Sequence, residues 1–330
     1  MAANISVIGG GSWATAIVKV LTQNGFRVHW WVRREDQQKQ LQERGVNPDY
    51  LSAVQVSTEL ITVSTSLSEV LEEAPKCLLA LPSSFLEEAL AGQEREKFRD
   101  KLMISAVKGL VPHRGKIVSD FLQEDCGVPE ENIVALGGPC HAEEVATEKR
   151  SYLTFAARDK NTANDVAQAF NCHFINTNIV DDLKGFEYAA VLKNIYAIAA
   201  GICHGAGMGD NFQAVLVSNC LREMKTFLES VNGSEVKLLD TAYTGDLLVT
   251  TYSRHSRNRN FGNMIGRGYS LHAAKLEMHM IAEGFYALEP MNSLVEKKQL
   301  NAPVVSKTYE MVFGNADAKE KVLELADSLI

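Results

Sequence analysis

The amino-terminal stretch NISVIGGGSWATAIV constrains the fold more than any other part of the chain. An apolar run over 4–9 reads as a strand, and Gly9, Gly11 and Ala14 form a G-x-G-x-x-A pattern at its end. The first glycine permits a tight turn, the second lets another group approach the backbone, and the small third residue packs a helix on the strand. We therefore expect a helix over 12–24 whose amino end binds a pyrophosphate, as in dinucleotide-binding folds.

Short apolar runs alternate with helical segments through the first half of the chain. Near-continuous apolar runs are typical of parallel strands that are buried on both faces, and alternating strands and helices predict a doubly wound sheet. The predicted strands cover residues 4–9, 28–32, 76–81, 101–107, 132–136, 152–157 and 172–176.

Strand patterns stop near residue 180, and helical patterns occupy the remainder. At about 150 residues per domain, a chain of 330 residues suggests two domains. We expect an α/β, Rossmann-like doubly wound sheet in residues 1–182 and an all-α domain in residues 183–330, without a flexible linker. The predicted helices of the second domain cover residues 185–202, 211–231, 270–280, 284–299, 302–313 and 316–329.

Composition argues against several classes of protein. The net charge of −8 and the lack of a long basic run argue against nucleic-acid binding. Six cysteines without a CxxC pair and eight histidines without ligand spacing predict neither a disulfide framework nor a metal site. The amino terminus lacks the basic segment of a signal peptide, and no run reaches the roughly 18 apolar residues that a span needs. We expect no membrane span and a cytoplasmic location.

The end of the second predicted strand bears on the choice of cofactor. NAD-binding folds usually place an acidic residue there to bind the ribose 2′-hydroxyl. This chain has Arg33 and Arg34 at that place, with Glu35 directly after them. Paired arginines can bind a 2′-phosphate, so we expect NADPH and leave NADH open. Two solvated charges at a strand end are the alternative interpretation.

Two further segments follow predicted strands at the carboxyl edge, where open α/β sheets bind ligands. One strand ends in Lys108 and Gly109, and another ends in Gly137, Gly138 and Pro139. The second turn offers backbone N–H groups to an anion, whereas Lys108 alone could equally be a surface lysine.

A dense cluster of hydrogen-bond donors lies in the second half of the chain. Ser256, Arg257, Asn258 and Arg259 are consecutive, and Asp246 precedes them in the same stretch. The planar guanidinium of arginine matches phosphate or carboxylate oxygens two at a time, which lysine does not. The cluster predicts an anion-binding loop, although a solvated face would have the same composition.

The motifs that carry the most information are, in order, IGGGSWATA, AVKGL, GGPCHAEE, AAVLKNIYAIAAG, GDLLVTT, SRNRNFG and AEGF. Together they resemble the NAD(P)-dependent glycerol-3-phosphate dehydrogenase family of the bacterial type over nearly the whole chain. The resemblance implies a Rossmann-like first domain, an all-helical second domain and a homodimer. It also implies reversible reduction of dihydroxyacetone phosphate to sn-glycerol 3-phosphate, the backbone of membrane phospholipids, and hence a role in lipid biosynthesis.

The same resemblance assigns roles to individual residues. Lys193 takes the position of the catalytic lysine, and Lys108 and Asp246 are the other implied catalytic residues. The implied cofactor contacts are Gly9, Gly11, Ser12, Trp13, Arg33, Arg34, Lys108, Ala142, Arg257, Ile281 and Glu283. The implied substrate contacts are Lys108, Gly138, Cys140, Lys193, Asp246, Ser256, Arg257 and Asn258.

Lys193 lies in an apolar helical stretch, VLKNIYAIAAG, where a buried ammonium is costly unless it is paired or loses its proton. Oxidation of a secondary alcohol needs a base for the hydroxyl proton, and reduction needs the same group as an acid. We expect the apolar helix and Lys108 to lower the pKa of Lys193, and Asn194 and Asp246 to orient its side chain. A lysine that extends to the surface is the structural alternative.

Departures from the family pattern leave other interpretations open. Cys140 stands where serine or threonine is usual, and Gln213 and Asn219 stand where basic residues are common. A sister dehydrogenase acting on a β-hydroxyacid or ketopantoate-like substrate would share the glycine pattern and the helical domain, but would not need the donor cluster. A non-catalytic dinucleotide-sensing protein would not need Lys193.

Overall fold

The computed structural model describes residues 4–233, 235–278, 282–314 and 318–329. The chain divides into two compact units. The first unit comprises Met1–Val107 and Val118–Leu183, and the second comprises Lys108–Ile117 and Lys184–Ile330. The second unit thus takes in the segment 108–117, which no feature of the sequence sets apart from the first predicted domain.

The first unit is built on an eight-stranded sheet. Its strands are β1 (Asn4–Ile8), β2 (Arg27–Trp31), β3 (Ile61–Ser64), β4 (Lys76–Leu79), β5 (Leu102–Ser105), β6 (Ile133–Gly137), β7 (Ser151–Ala156) and β8 (Ile175–Val180). They lie in the order β3-β2-β1-β4-β5-β6-β7-β8, with parallel pairing from β3 to β6. The order reverses direction between β1 and β4, as in a doubly wound sheet, so the predicted fold class is confirmed.

The sheet differs in detail from the expectation. β7 pairs antiparallel with β6, and β8 pairs parallel with β7. The helix between β6 and β7 has five residues, so it spans only about 7.5 Å and cannot return the chain along a strand of about 17 Å. Without that return, β7 runs opposite to β6. The predicted strand 172–176 lies three residues early relative to β8, and the four-residue β3 was not predicted.

Helices cover both faces of this sheet and enclose its apolar core. They are α1 (Ser12–Gln23), α2 (Glu35–Arg44), α3 (Leu67–Glu72), α4 (Leu86–Leu90), α5 (Glu96–Arg99), α6 (Val118–Glu124), α7 (Ala142–Ala146) and α8 (Lys160–Ala167). α1 packs on α7, and its apolar residues join a core that includes Trp30, Phe155 and Phe170.

Among the described residues after Leu183, the chain is helical and contains no strand. The helices are α9 (Leu183–Gly205), α10 (Asp210–Asn232), α11 (Asp246–Tyr252), α12 (Arg257–Gly266), α13 (Leu271–Glu277), α14 (Glu283–Lys297), α15 (Pro303–Phe313) and α16 (Ala318–Ser328). Six of them coincide with predicted helices. α11 lies within the stretch 244–262 and α12 begins there; in this stretch the polar donor cluster obscures the helical pattern.

α9 is long and apolar enough to cross a membrane by length and composition, with 23 residues and a mean hydropathy of 1.2 over an 18-residue window. However, 89% of that window is buried inside the protein. A core helix of a globular domain has these properties, and α9 is the core helix of the second unit.

α9 and α12 cross with their backbones in contact because each presents glycines to the other. A Cβ added at Gly262 would lie 2.1 Å from the carbonyl oxygen of Ile198, and a Cβ added at Gly201 would lie 2.1 Å from that of Arg259. A second pair of glycines repeats the contact one turn later in both helices. Small residues four positions apart allow this close approach, which fixes the position of α12 along α9.

Glu223 of α10 joins α10 to the amino end of α15. Its carboxylate accepts hydrogen bonds from the N–H groups of Val304 and Val305 at 2.7 and 3.0 Å, where no side chain caps the helix locally. Burial raises the pKa of Glu223 to about 7, although these two hydrogen bonds oppose the shift. A carboxylate from another helix thus satisfies N–H groups that a helix start leaves open.

We expect Gly262→Ala to lower the free energy of unfolding by about 2 kcal/mol or more, because backbone atoms block the added methyl group. Gly209→Ala is the matched control, since Gly209 has a φ of −82° and nothing within 4 Å of an added Cβ. The control should change stability by about 0.5 kcal/mol or less. Urea unfolding measures both, and equal stability of the two variants would contradict the backbone contact.

The raised pKa of Glu223 predicts a pH dependence of stability. The pKa of Glu223 is about 4.5 in the unfolded chain and about 7 in the folded protein. Between these two pH values Glu223 is ionised in the unfolded chain but largely protonated in the folded protein. The contribution of Glu223 to stability is therefore complete below pH 4.5 and is lost as the pH rises to about 7. Relative to Glu223→Gln, the wild-type protein should lose about 2 to 3 kcal/mol of unfolding free energy between pH 5 and pH 8. Denaturant titrations of both proteins at several pH values test this, and parallel pH profiles would refute it.

Candidate functional site

The turn between β1 and α1 has the geometry that a diphosphate requires. Gly9 has a φ of +133°, and an added Cβ there would lie 2.2 Å from the carbonyl oxygen of Ala80. Gly11 precedes α1, and a Cβ there would meet nothing within 4 Å. α1 begins with Ser12 and Trp13, has no acidic residue in its first turn and has no side-chain cap at Gly11. Its amino end carries the positive partial charge of a helix start, so these residues fit a dinucleotide diphosphate.

Side chains from neighbouring elements bind the carbonyl oxygens of this turn. Trp30 Nε1 donates to the Gly9 oxygen at 2.6 Å. Gln37 Nε2 and Asn47 Nδ2 donate to the Gly10 oxygen at 2.7 and 2.9 Å. Sequence reasoning missed Gln37 and Asn47, because isolated polar residues in a helix and a loop give no periodic or spacing signal.

The two arginines after β2 have different partners. The Arg33 guanidinium lies 5.6 Å from the centroid of the Phe85 ring. Arg34 Nε is 3.1 Å from Asp36 Oδ1, and Asp49 forms a second ion pair with Arg34. Because two carboxylates already compensate the charge of Arg34, Arg33 is better placed to bind an additional phosphate.

The turn after β6 is shaped by a second glycine with positive φ. Gly138 has a φ of +102°, and an added Cβ would lie 2.9 Å from the carbonyl oxygen of Tyr152. The thiol of Cys140 is buried and donates to the Gly138 oxygen at 3.2 Å. Ala142 begins α7 directly afterwards. Cys140 thus binds its own turn, as a serine hydroxyl at the same place could.

In the second unit, Lys193 of α9 and Asp246 of α11 form a buried ion pair whose side chains are 4% and 5% exposed. The alternative of a lysine extending to the surface is therefore wrong. A π-helical turn, Thr241–Gly245, directly precedes Asp246, and such turns recur at functional sites. Thr250 Oγ1 donates to the Asp246 carbonyl oxygen at 2.6 Å, which steadies the first turn of α11. The buried pair can hold a proton and exchange it with a substrate oxygen.

Lys108 is tied to the same helix through its backbone. Asn194 Nδ2 donates to the Lys108 carbonyl oxygen at 2.7 Å. Asn194 therefore fixes the segment 108–117, while Asp246 is the residue that contacts the Lys193 ammonium. The residue that binds the Lys108 backbone is thus the direct neighbour of Lys193 in α9. Lys193 is buried and Lys108 is half-buried.

The donor cluster forms the start of α12. Ser256 caps this helix by accepting a hydrogen bond from the Arg259 N–H at 3.3 Å. Arg257 is the first helical residue and is half-buried. Asn258 Oδ1 accepts from the Gly284 N–H at 2.9 Å. The cluster is therefore an ordered helix start that presents an arginine, which suits the binding of an anion.

Two predicted cofactor residues remain. Glu283 is the first residue of α14, and Ile281 lies outside the described residues. In the part of the chain that the structure describes, no three His, Cys, Asp or Glu side chains are grouped as metal ligands.

Known proteins with similar sequences and structures were compared with this chain. The family described as NAD-dependent glycerol-3-phosphate dehydrogenase N-terminus matches residues 4–163, and the corresponding C-terminus matches residues 182–323. Glycerol-3-phosphate dehydrogenase (NAD(P)+) of Chlorobium limicola is 35% identical over 98% of this chain and 97% of its own. The enzyme of the same name from Bacillus cytotoxicus is 33% identical over 96% and 93%.

A solved structure gives the same result. The crystal structure of glycerol-3-phosphate dehydrogenase from Coxiella burnetii matches with a TM-score of 0.90 and 26% identity, covering 99% of each chain. Together, the two family matches, the full-length relatives and the shared fold show that this chain belongs to the family of NAD-dependent glycerol-3-phosphate dehydrogenases.

Proposed function

We propose that this chain catalyses the reversible reduction of dihydroxyacetone phosphate to sn-glycerol 3-phosphate with NAD(P)H. The observation that carries the proposal is the buried pair of Lys193 and Asp246, in a chain whose relatives are named for this activity. The sister β-hydroxyacid or ketopantoate dehydrogenase is disfavoured by the family membership. A non-catalytic dinucleotide sensor gives no reason for burying an ammonium.

Lys193 is the general acid and base of the proposed reaction. In the reducing direction its ammonium donates a proton from Nζ to the carbonyl oxygen of the substrate, and in the oxidising direction the neutral amine accepts the hydroxyl proton. Asp246 orients Nζ and keeps it at one place away from bulk water. Lys108 supplies a second cation that binds the substrate.

The cofactor is assigned to residues of the first unit. Bound nicotinamide supplies the hydride for reduction and accepts it on oxidation. The N–H groups at Gly11 and at the start of α1 bind the diphosphate, and Arg33 binds the 2′-phosphate of NADPH. NADH also fits this assignment, because the diphosphate turn is common to both cofactors. Further predicted contacts are Ser12, Trp13, Arg34, Ala142 and Glu283.

The phosphate of the substrate is assigned to the start of α12. Arg257 supplies charge and two parallel donors, while Ser256 and Asn258 supply short polar side chains. Because the phosphate does not react, its binding energy serves to place the reacting carbon. Gly138 and Cys140 remain predicted substrate contacts.

Several further assignments belong to the same proposal. We place the cofactor in residues 1–182 and catalysis in residues 183–330. The protein acts as a homodimer in the cytoplasm, and its product supplies phospholipid synthesis. These assignments rest on the resemblance to the family.

Replacement of Lys193 tests the proton-transfer role. Lys193→Met keeps the length and apolar character of the side chain, so we expect NADPH binding to persist while turnover falls at least about 100-fold. Lys307→Met is the control, because the partners of Lys307 among the described residues are Glu310 and Glu324, with which it forms ion pairs near the surface. Turnover is followed by nicotinamide absorbance with dihydroxyacetone phosphate.

The variant also leaves the Asp246 carboxylate without its cation, which costs stability. The double variant Lys193→Met with Asp246→Asn removes that charge and should fold while remaining slow. If Lys193→Met turns over within a few-fold of wild type, Lys193 is not the proton-transfer group.

The different partners of Arg33 and Arg34 predict different effects on cofactor choice. Arg33→Gln should raise the dissociation constant for NADPH by about 10- to 100-fold, because it removes a charge-assisted bond to phosphate. NADH binding should change about two-fold or less. Arg34→Gln should have a smaller effect on NADPH, because Asp36 and Asp49 already bind that arginine. Calorimetric titration measures the dissociation constants of each variant for NADPH and for NADH. If Arg33→Gln weakened the binding of both cofactors equally, Arg33 would not recognise the 2′-phosphate.

A further inference from the structure

Asn47 uses every hydrogen-bonding position of its side chain, and both of its donors bind the turn between β1 and α1 or the first turns of α1. Its Nδ2 donates to the Gly10 oxygen at 2.9 Å and to Thr15 Oγ1 at 2.7 Å. Its Oδ1 accepts from Gln37 Nε2 at 3.0 Å and from the Asp49 N–H at 3.3 Å. An amide has two donors and two acceptor positions, and Asn47 is fully buried. A buried amide saturated in this way holds its partners in one arrangement.

The bond to the Gly10 oxygen sets the direction of the next N–H group. In a planar trans peptide, the carbonyl of one residue and the N–H of the following residue point in opposite directions. Since Asn47 and Gln37 both hold the Gly10 oxygen, the Gly11 N–H points away from them. The peptides on either side are held in the same manner: Trp30 binds the Gly9 oxygen, and the backbone N–H and hydroxyl of Thr15 each donate to the Gly11 oxygen.

The two sides of the turn differ in how closely other atoms pack against them. A Cβ at Gly10 would lie 2.6 Å from Gln37 Oε1, whereas a Cβ at Gly11 would meet nothing within 4 Å. One side is packed against amides and the other is open. The open side is where the oriented N–H groups can meet an anion.

We propose that Asn47, assisted by Gln37, is a positioning residue that aims the N–H groups of the glycine turn at the cofactor diphosphate. The proposal rests on the proposed function, since it takes a nicotinamide dinucleotide as the ligand. Asn47 acts through the Gly10 carbonyl and Thr15 rather than by touching the cofactor. The diphosphate is common to NADPH and NADH, so Asn47 supports both cofactors equally, whereas Arg33 distinguishes them.

The test replaces the amide by an apolar group of similar shape. Asn47→Leu removes one of the two donors to the Gly10 oxygen and the donor to Thr15 Oγ1, so the Gly10 peptide is held less firmly and the direction of the Gly11 N–H is less well fixed. We expect the dissociation constants for NADPH and NADH to rise by the same factor, about 10-fold. Calorimetric titration of the full-length protein measures both constants, and thermal unfolding of the same samples measures stability.

A matched control separates positioning from general destabilisation. Val63→Ala creates a cavity in the same core without touching the turn, so it should lower the melting temperature while leaving both dissociation constants within about two-fold. If Asn47→Leu fails to fold, Gln37→Met, which also removes a donor to the Gly10 oxygen, carries the test with the same expectation.

Three results overturn the inference. One is cofactor binding by Asn47→Leu within about two-fold of wild type. Another is a loss of binding in Val63→Ala as large as that in Asn47→Leu at equal loss of stability. The third is a loss for NADPH alone. Should the wild-type protein bind neither cofactor, the proposed function itself fails, and this inference fails with it.

Discussion

The buried ion pair of Lys193 and Asp246 constrains how the second unit is built. Removal of two charges from water costs several kcal/mol for each ion, and attraction offsets this only where the geometry is good. The backbone supplies that geometry, because Lys193 lies within α9 and Asp246 begins α11 after a π-helical turn. Apolar residues of the same size would stabilise a fold at least as well, so stability alone does not explain the pair.

The glycine contact between α9 and α12 complements this arrangement. Side chains between two helices can adopt other rotamers and let the helices shift, but two backbones in contact cannot. The contact at Gly201 and Gly262 therefore fixes the start of α12, and with it Arg257, along the helix that carries Lys193. The residues proposed for proton transfer and anion binding are thus held by one pair of helices in backbone contact, and positioned catalytic groups need such precision.

Local pattern was enough to predict the glycine turn, most strands, α1 and six helices of the second unit, because those depend on neighbours in sequence. The antiparallel β7 depended instead on the length of α7, and Asn47 gained its role only through contacts to Gly10 and Thr15, more than 30 residues away. Lys193 was identifiable because a charged residue within an apolar helical stretch is unusual and is visible from its sequence neighbours alone. Its contact with Asp246, 53 residues later, emerges only from the packing of α9 against α11.

The partners of Arg33 and Arg34 could not be predicted from the sequence either, and they bear on the choice of cofactor. Adjacent in sequence, they differ in their partners, and the strand end as a whole holds two arginines against the carboxylates of Glu35, Asp36 and Asp49. Such a nearly balanced group of charges produces little long-range attraction for a phosphate, and salt screens what remains. Under the proposed function, we therefore expect discrimination between NADPH and NADH to come from short, paired hydrogen bonds between a guanidinium and the 2′-phosphate. A site built in this way recognises the phosphate by contact and still admits a cofactor that lacks it.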